Sequence, residues 1–132
     1  MRIRAAQRRS RQAGKRKKGG RDVKIQEEKK NDVVVLLLEG EININTSPEL
    51  RKRFAGCVEA KEKKVLLDFG SVTYLDSSGL ATLIEVAQRL KKIGGRMRFC
   101  RVNERVRSVF EITKLINLFE IFEDQTLALK GF

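Results

Sequence analysis

Two continuous apolar runs, each followed by a stretch of helical period, constrain the fold of this chain most. Residues 33–38 and 65–69 consist mainly of Val, Leu and Phe, as expected of strands that are buried on both faces. Residues 46–61 and 80–92, which follow these runs, place apolar side chains on one side of a helix. Strand–helix–strand alternation at this spacing predicts a mainly parallel sheet with helices packed on it.

The later sequence continues the same alternation. Gly94 and Gly95 end the second helix, because glycine accepts the left-handed conformation found at helix ends. Beyond them we predict a strand at 97–102, a short helix around 106–113, a strand at 118–122 and a helical piece at 124–129, while 23–26 could add an edge strand. The 132 residues are enough for one core, so we predict a single α/β domain over 23–132, with a mainly parallel or mixed sheet of four to five strands.

The start of the first helix carries its own signal. Thr46 and Glu49 have the spacing of a capping box, in which the hydroxyl and the carboxylate each accept a hydrogen bond from a free backbone amide. Pro48 suits the first turn, where its missing N–H is not needed. We therefore expect Thr46 to cap this helix.

The basic charge is concentrated at the N-terminus. Residues 1–32 carry 13 Lys and Arg against four Asp and Glu, whereas residues 33–132 carry 16 against 13. Residues 1–21 contain ten basic side chains, no acid and few apolar groups, so we predict a disordered tail over 1–22. Such a tail could hold nucleic acid or an anionic membrane, or be a solvated extension without a role.

Much of the usual catalytic and metal-binding machinery is absent. The sequence has no histidine, no phosphate-cradling glycine loop, no dinucleotide fingerprint and no nucleophile elbow. Asp68 and Asp76 could form a carboxylate pair, but two acids without a third ligand hold a hard cation poorly. We expect no enzyme, no metal, no cofactor and no small-molecule substrate.

Other patterns point to a cytoplasmic protein. Cys57 and Cys100 lie within apolar runs, as small buried thiols do in a reducing compartment. There is no apolar run of membrane-spanning length and no secretory signal. Basic residues at 89–107 could form a patch or a solvated face, but aromatic side chains for single-strand binding and nucleic-acid motifs are missing. Direct nucleic-acid binding is therefore not expected outside the tail.

The turn Asp76-Ser77-Ser78-Gly79 stands where a strand ends and the second helix begins. A Ser or Asp there satisfies free amides of the first helical turn, and a plain cap would explain at least one of these residues. An acid followed by two serines offers more side chains than one helix cap requires, so one hydroxyl is expected to project into solvent. A phosphate on it would lie at the positive end of the helix, where the fold tolerates negative charge.

This turn and the sequence around it resemble the STAS domain, and specifically the bacterial anti-sigma factor antagonists. Five segments resemble the family in the family's order, across roughly residues 23–125. They are Leu38-Glu39-Gly40-Glu41-Ile42, Val65-Leu66-Leu67-Asp68-Phe69, Leu75-Asp76-Ser77-Ser78-Gly79-Leu80, Lys92-Ile93-Gly94-Gly95 and Phe110-Glu111-Ile112-Thr113-Lys114-Leu115. The basic tail lies outside the resemblance.

The resemblance implies a regulatory binding protein with a phosphorylation switch. Family members bind an anti-sigma factor that is also a serine kinase, and thereby free the sigma factor. The kinase phosphorylates the serine that corresponds to Ser77, which ends binding, and a phosphatase restores it. The partner-binding surface implied by the matching positions comprises Asn43, Thr46, Asp76, Ser78, Gly79 and Leu80. Position 43 is Asn where many members carry Asp.

Two other functions are compatible with the sequence. Some STAS domains are interaction subunits of transport or signalling complexes and have no phosphorylation cycle, and fold alone does not choose between these roles. The basic tail would instead suit a nucleic-acid-associated protein, for which a steep salt dependence of binding would be diagnostic.

Overall fold

A five-stranded sheet organises the computed structural model, which describes residues 23–116 and 119–132. Its elements are β1 (Lys24–Lys30), β2 (Val33–Ile42), α1 (Ser47–Glu59), β3 (Lys64–Leu75), α2 (Ser77–Lys92), β4 (Arg96–Cys100), α3 (Glu104–Ile112), β5 (Glu120–Phe122) and α4 (Gln125–Leu129). The strands lie side by side in chain order. Because β1 pairs antiparallel with β2 and the other pairs are parallel, the predicted mixed α/β sheet is confirmed. The predicted tail lies outside the described residues.

The main core lies between one face of the sheet and three helices. The connection between each two neighbouring parallel strands contains one helix, which is α1, α2 or α3. All three helices pack on the same face of the sheet. Four phenylalanines join the sheet to α3 through edge-on and tilted ring contacts, namely Phe69, Phe99, Phe110 and Phe119. Burial of such rings stabilises the core strongly, because each ring removes a large apolar area from water.

The opposite face of the sheet is covered only in part. The short helix α4 and the C-terminal Phe132 pack there against a small cluster that includes Val33, Val35 and Cys100. Arg98 of β4 is buried on this face and donates hydrogen bonds to the carbonyl oxygens of Ala128, Lys130 and Gly131. One side chain therefore attaches the end of the chain to the sheet.

Strand β3 is much longer than the apolar run that predicted it. Its second half, residues 70–75, is mostly exposed, with Val72 and Leu75 buried, and pairs with the end of β2 across two register shifts. The neighbouring strand β4 stops at Cys100, opposite Asp68, so β2 and β3 extend past it as a pair. This extension carries the turn after β3 beyond the rest of the sheet.

The predicted capping box is wrong. Thr46 immediately precedes α1, but its side chain makes no cap hydrogen bond. The Thr46 hydroxyl instead donates to the carbonyl oxygen of Glu41 at 2.7 Å and accepts from the amide of Asn43 at 2.9 Å. Its backbone already has helical angles, so the hydroxyl is directed back into the preceding loop. The helix ends at Glu59, two residues before the predicted end.

Within residues 23–116 and 119–132, no helix combines the length and the apolar character needed to cross a lipid bilayer.

Candidate functional site

The candidate site lies at the protruding end of the β2–β3 pair. The amide of Asp76 donates to the carbonyl oxygen of Ile42 at 3.1 Å, which holds the end of β3 beside the end of β2. Helix α1 begins just after β2 and helix α2 just after β3, so the two helices start at the same edge of the molecule. The loop 43–46 and the turn 76–79 therefore lie at the same edge of the molecule.

Asp76 is the cap of α2. One oxygen of its carboxylate accepts hydrogen bonds from the amides of Ser78, at 2.9 Å, and Gly79, at 3.1 Å. Asp76 itself has extended backbone angles, as caps do. The cap that the sequence predicted is confirmed, and the structure assigns it to the acid. Both serine hydroxyls are therefore not needed to satisfy the first helical turn.

Ser77 is the first residue of α2 and is exposed. Its hydroxyl has no hydrogen-bond partner among the residues that the structure describes. Ser78 is half-buried, and its carbonyl oxygen accepts a hydrogen bond from the hydroxyl of Thr82 at 3.1 Å. Of the two serines, Ser77 is therefore the more accessible to another protein.

Gly79 and Leu80 support the turn from beneath. A Cβ atom on Gly79 would lie 2.5 Å from the Cγ2 atom of Ile42 and 2.9 Å from its carbonyl oxygen, so only glycine fits. Leu80 is 6% exposed and belongs to the main core. These two residues, which the resemblance placed at the partner-binding surface, give it shape but offer a partner little area.

Asn43 organises the loop beside the turn. Its side-chain oxygen accepts hydrogen bonds from the amides of Asn45, at 2.9 Å, and Thr46, at 3.1 Å, while its amide nitrogen donates to Glu41. Asn43 is half-exposed, whereas Thr46 is buried and braces the loop. An Asp would accept the same two backbone bonds, so Asn43 preserves the loop geometry.

Sequence reasoning missed several side chains at this edge. Ile44 is 69% exposed at the tip of the loop, and Tyr74 lies exposed two residues before Asp76. An isoleucine between two asparagines was the available signal for the first. Nothing in the pattern identified Arg51, which contacts both Glu85, at 3.2 Å, and the hydroxyl of Thr82, at 3.4 Å, and so joins α1 to α2.

Asp68 and Asp76 do not form a shared site. Asp76 caps α2, whereas Asp68 is buried on the opposite face of the sheet, where it pairs with Arg101 at 3.0 Å. Burial raises the pKa of Asp68, but hydrogen bonds from Arg101, Gln125 and the amide of Gly70 outweigh this effect and lower its pKa overall. No group of three or more acidic or cysteine side chains suited to a metal ion occurs in the described part of the chain.

Three of the basic residues at 89–107 are buried or paired within the domain. Arg98 is buried, Arg101 pairs with Asp68 on the helix-poor face, and Arg96 pairs with Glu120 at 2.6 Å. These charges neutralise acids of the domain itself.

The two cysteines are buried and unpaired with each other. Burial raises the pKa of the Cys57 thiol to about 11 and that of the Cys100 thiol to about 12. Both thiols are therefore protonated at neutral pH, and neither is an activated nucleophile.

Comparison with known proteins identifies the family of this chain. The family model of the STAS domain matches residues 24–128, so the chain belongs to the STAS domain family. A curated relative, the putative anti-sigma factor antagonist BtrV of Bordetella bronchiseptica, is 28% identical over 83% of this chain and 95% of its own. The anti-sigma-B factor antagonist of Bacillus subtilis is 32% identical over 76% of this chain and 87% of its own.

Solved structures share the fold. A putative anti-sigma factor antagonist from Thermotoga maritima has a TM-score of 0.77 at 23% identity, covering 80% of this chain and 92% of that one. The Bacillus cell fate determinant SpoIIAA, solved in its phosphorylated form, has a TM-score of 0.64 at 18% identity over 80% and 95%. The murine anion transporter Slc26a9 contains the fold as well, with a TM-score of 0.65 at 12% identity over 80% and 21%. At these identities the likeness shows fold alone.

Proposed function

We propose that this protein is an anti-sigma factor antagonist controlled by phosphorylation of Ser77. Its unmodified form binds an anti-sigma factor that is also a serine kinase, and so releases the sigma factor. Transfer of phosphate to Ser77 ends this binding, and a serine phosphatase restores it. The names of the curated relatives support the assignment as an anti-sigma factor antagonist. The solved structure of SpoIIAA in its phosphorylated form supports phosphorylation of a protein with this fold.

The observation that carries the proposal is the division of roles within the turn. Asp76 accepts hydrogen bonds from the free amides of the first turn of α2, and Gly79 allows the turn to pack against β2. The exposed hydroxyl of Ser77 therefore has no structural role in the turn. Modification of Ser77 therefore breaks no described contact. The positive end of the α2 dipole also favours an added anion, so the fold is expected to persist.

Loss of binding follows from charge and desolvation. A phosphate adds about −1.5 to −2 charges at neutral pH, beside the carboxylate of Asp76. A partner that covers this turn would have to remove water from that charge without a matching cation, and an uncompensated buried charge is strongly unfavourable. Phosphorylation is expected to weaken the interface while the domain stays folded.

The surrounding residues have two kinds of role in this proposal. Asn43, Asp76 and Ser78 are partly exposed and contribute contacts around Ser77. Three buried residues, Thr46, Gly79 and Leu80, hold the contact surface in shape. Substitution of Ser78 should change affinity, whereas substitution of Asn43, of Asp76 or of a residue in the second group should also change stability.

Affinity measurements on a charge variant test the proposal. The Ser77→Asp protein should fold normally but bind the cognate kinase at least about tenfold more weakly than the parent. The matched control is Ser108→Asp, an exposed serine on α3, which should bind as the parent does. The kinase is obtained by affinity purification from the source organism and then expressed alone. Equal affinity of the Ser77→Asp and parent proteins would contradict the proposal, and recovery of a transport complex without a kinase would favour the interaction-subunit function.

A further inference from the structure

Ile44 is a large apolar side chain that the fold leaves in water beside the candidate site. It is 69% exposed, at the tip of the loop between β2 and α1. Single exposed apolar residues are common on protein surfaces, and exposure alone indicates no function. Ile112 at the end of α3 is exposed to a similar extent, at 79%. What distinguishes Ile44 is its place next to Ser77 and the way its loop is held.

Hydrogen bonds fix the loop that carries Ile44. The side-chain oxygen of Asn43 accepts from the amides of Asn45, at 2.9 Å, and Thr46, at 3.1 Å. The hydroxyl of Thr46 donates in turn to the carbonyl oxygen of Glu41 at 2.7 Å. Ile44 lies between these groups, so its position is set before a partner arrives. A contact made by a residue that is already ordered loses less conformational entropy on binding.

The same loop is attached to the turn that contains Ser77. The carbonyl oxygen of Ile42 accepts a hydrogen bond from the amide of Asp76 at 3.1 Å, and a Cβ atom on Gly79 would lie 2.9 Å from the same oxygen. Ile44 follows Ile42 by two residues, so their Cα atoms are at most about 7 Å apart. A protein partner usually covers about 800 Å² of surface, so an interface centred on Ser77 extends to Ile44.

The immediate neighbours of Ile44 suit an apolar contact with a polar rim. Asn43 and Asn45 on either side of it are neutral amides that are partly or fully exposed. Specific protein interfaces commonly have this arrangement, with an apolar centre inside a polar margin. Burial of the Ile44 side chain would remove its apolar area from water, and this gain is realised only in a complex.

We propose that Ile44 is an apolar anchor of the interface with the anti-sigma kinase, and that it enters an apolar recess of the kinase beside the groove that receives Ser77. The anchor role rests on the proposed function, which supplies the kinase as the partner. Ser77 switches binding through its charge, whereas Ile44 contributes affinity through burial. Because salt screens charges and not apolar contacts, the contribution of Ile44 should be the same at low and high salt.

Calorimetric titration of the purified kinase tests the anchor. Ile44→Ala should unfold in urea as the parent does, because the side chain is exposed, yet bind the kinase at least about tenfold more weakly at both low and high salt. Ile44→Leu keeps the apolar volume and should bind within about threefold of the parent. The control Ile112→Ala removes an equally exposed isoleucine at the far end of α3 and should bind as the parent does. Equal affinity of Ile44→Ala and the parent, or equal losses in the two alanine variants, would overturn the proposal.

Magnetic resonance of the isoleucine methyl groups gives a direct measure of burial. A dissolved paramagnetic probe should broaden the signals of Ile44 and Ile112 in the free protein, because both side chains are exposed. In the complex, only Ile44 should be protected. An Ile44 signal that stays as sensitive to the probe as that of Ile112 would contradict insertion into the kinase.

The Ser77→Asp protein separates failure of the anchor from failure of the proposed function. Weak binding of Ser77→Asp with full binding of Ile44→Ala would leave the proposed function standing and exclude the anchor. The reverse result would leave the anchor standing and exclude the charge switch. A kinase that binds none of these proteins, the parent included, would overturn both.

Discussion

Three neighbouring residues of the turn have separate roles. Asp76 binds the free amides of α2, Ser77 is exposed, and Gly79 allows the helix to approach β2 closely. The residue types predicted a cap here, but Asp and Ser cap helices almost equally well, so the sequence did not choose between them. The requirement for Gly79 arises from contact with Ile42, 37 residues earlier, which no local pattern shows.

Substitution of Gly79 should destabilise the domain without touching the phosphate acceptor. In Gly79→Ala the added methyl group meets the backbone of Ile42, which cannot move freely, so the free energy of unfolding should fall by about 1–3 kcal/mol. Urea denaturation measures this change. The control is Gly56→Ala on α1, where no atom lies within 4 Å of the added carbon; this variant should be stabilised by about 0.5–1 kcal/mol. A stable Gly79→Ala protein would refute the packing role of the glycine.

At the scale of the helices and strands, the pattern of apolar residues predicted the buried segments. It missed the segments that are ordered by pairing with a neighbouring strand. The apolar runs located β2 and the first half of β3, whereas residues 70–75 of β3 are ordered by pairing with β2. Strand β1 extends to Lys30, well beyond the predicted edge strand, because the sheet orders a polar segment by main-chain hydrogen bonds. The sequence did not predict which face of the sheet α4 covers, because the position of α4 depends on a hydrogen bond from the buried side chain of Arg98.

Arg98 should hold α4 and the chain end in place. In Arg98→Lys one ammonium replaces a planar group that serves three carbonyl oxygens, so buried acceptors lose their donors and stability should fall by about 1–3 kcal/mol. Hydrogen exchange of the α4 amides and urea denaturation measure the effect. Arg96→Lys, an exposed position that pairs with the same Glu120, should change stability by less than about 0.5 kcal/mol. Equal losses in the two variants would contradict this role.

At the scale of the whole molecule, the two faces of the sheet differ in chemistry. The helix-covered face is apolar, while the opposite face buries charged groups at Asp68 and Arg98. The family resemblance and the alternation of elements predicted the first face and the turn at its edge. Ion pairs on the second face join residues 22 to 33 positions apart, and only the folded chain brings them together.

The lowered pKa of Asp68 predicts a contribution to acid stability. In the unfolded chain its pKa returns to about 3.8, so at low pH the unfolded state binds more protons than the folded state. The stabilisation is present above that pKa and is lost as the pH falls through the lower pKa of the folded state. Urea denaturation from about pH 5 downward should therefore show a shallower decline for Asp68→Asn than for the parent. Glu111→Gln, an exposed position on α3, should decline as the parent does, and identical slopes for all three proteins would exclude this contribution.

We expect one phosphate on Ser77 to end partner binding and to leave the fold intact. Incubation of the protein with the purified kinase and ATP, followed by mass spectrometry, calorimetry and thermal unfolding, measures all three parts together. We expect one phosphate per chain on Ser77, phosphorylation of Ser78→Ala but not of Ser77→Ala, an unchanged unfolding transition and a lost affinity for the kinase. A phosphate mapped to another residue, or a Ser77 phosphoprotein that binds the kinase as tightly as the unmodified protein, would contradict this expectation.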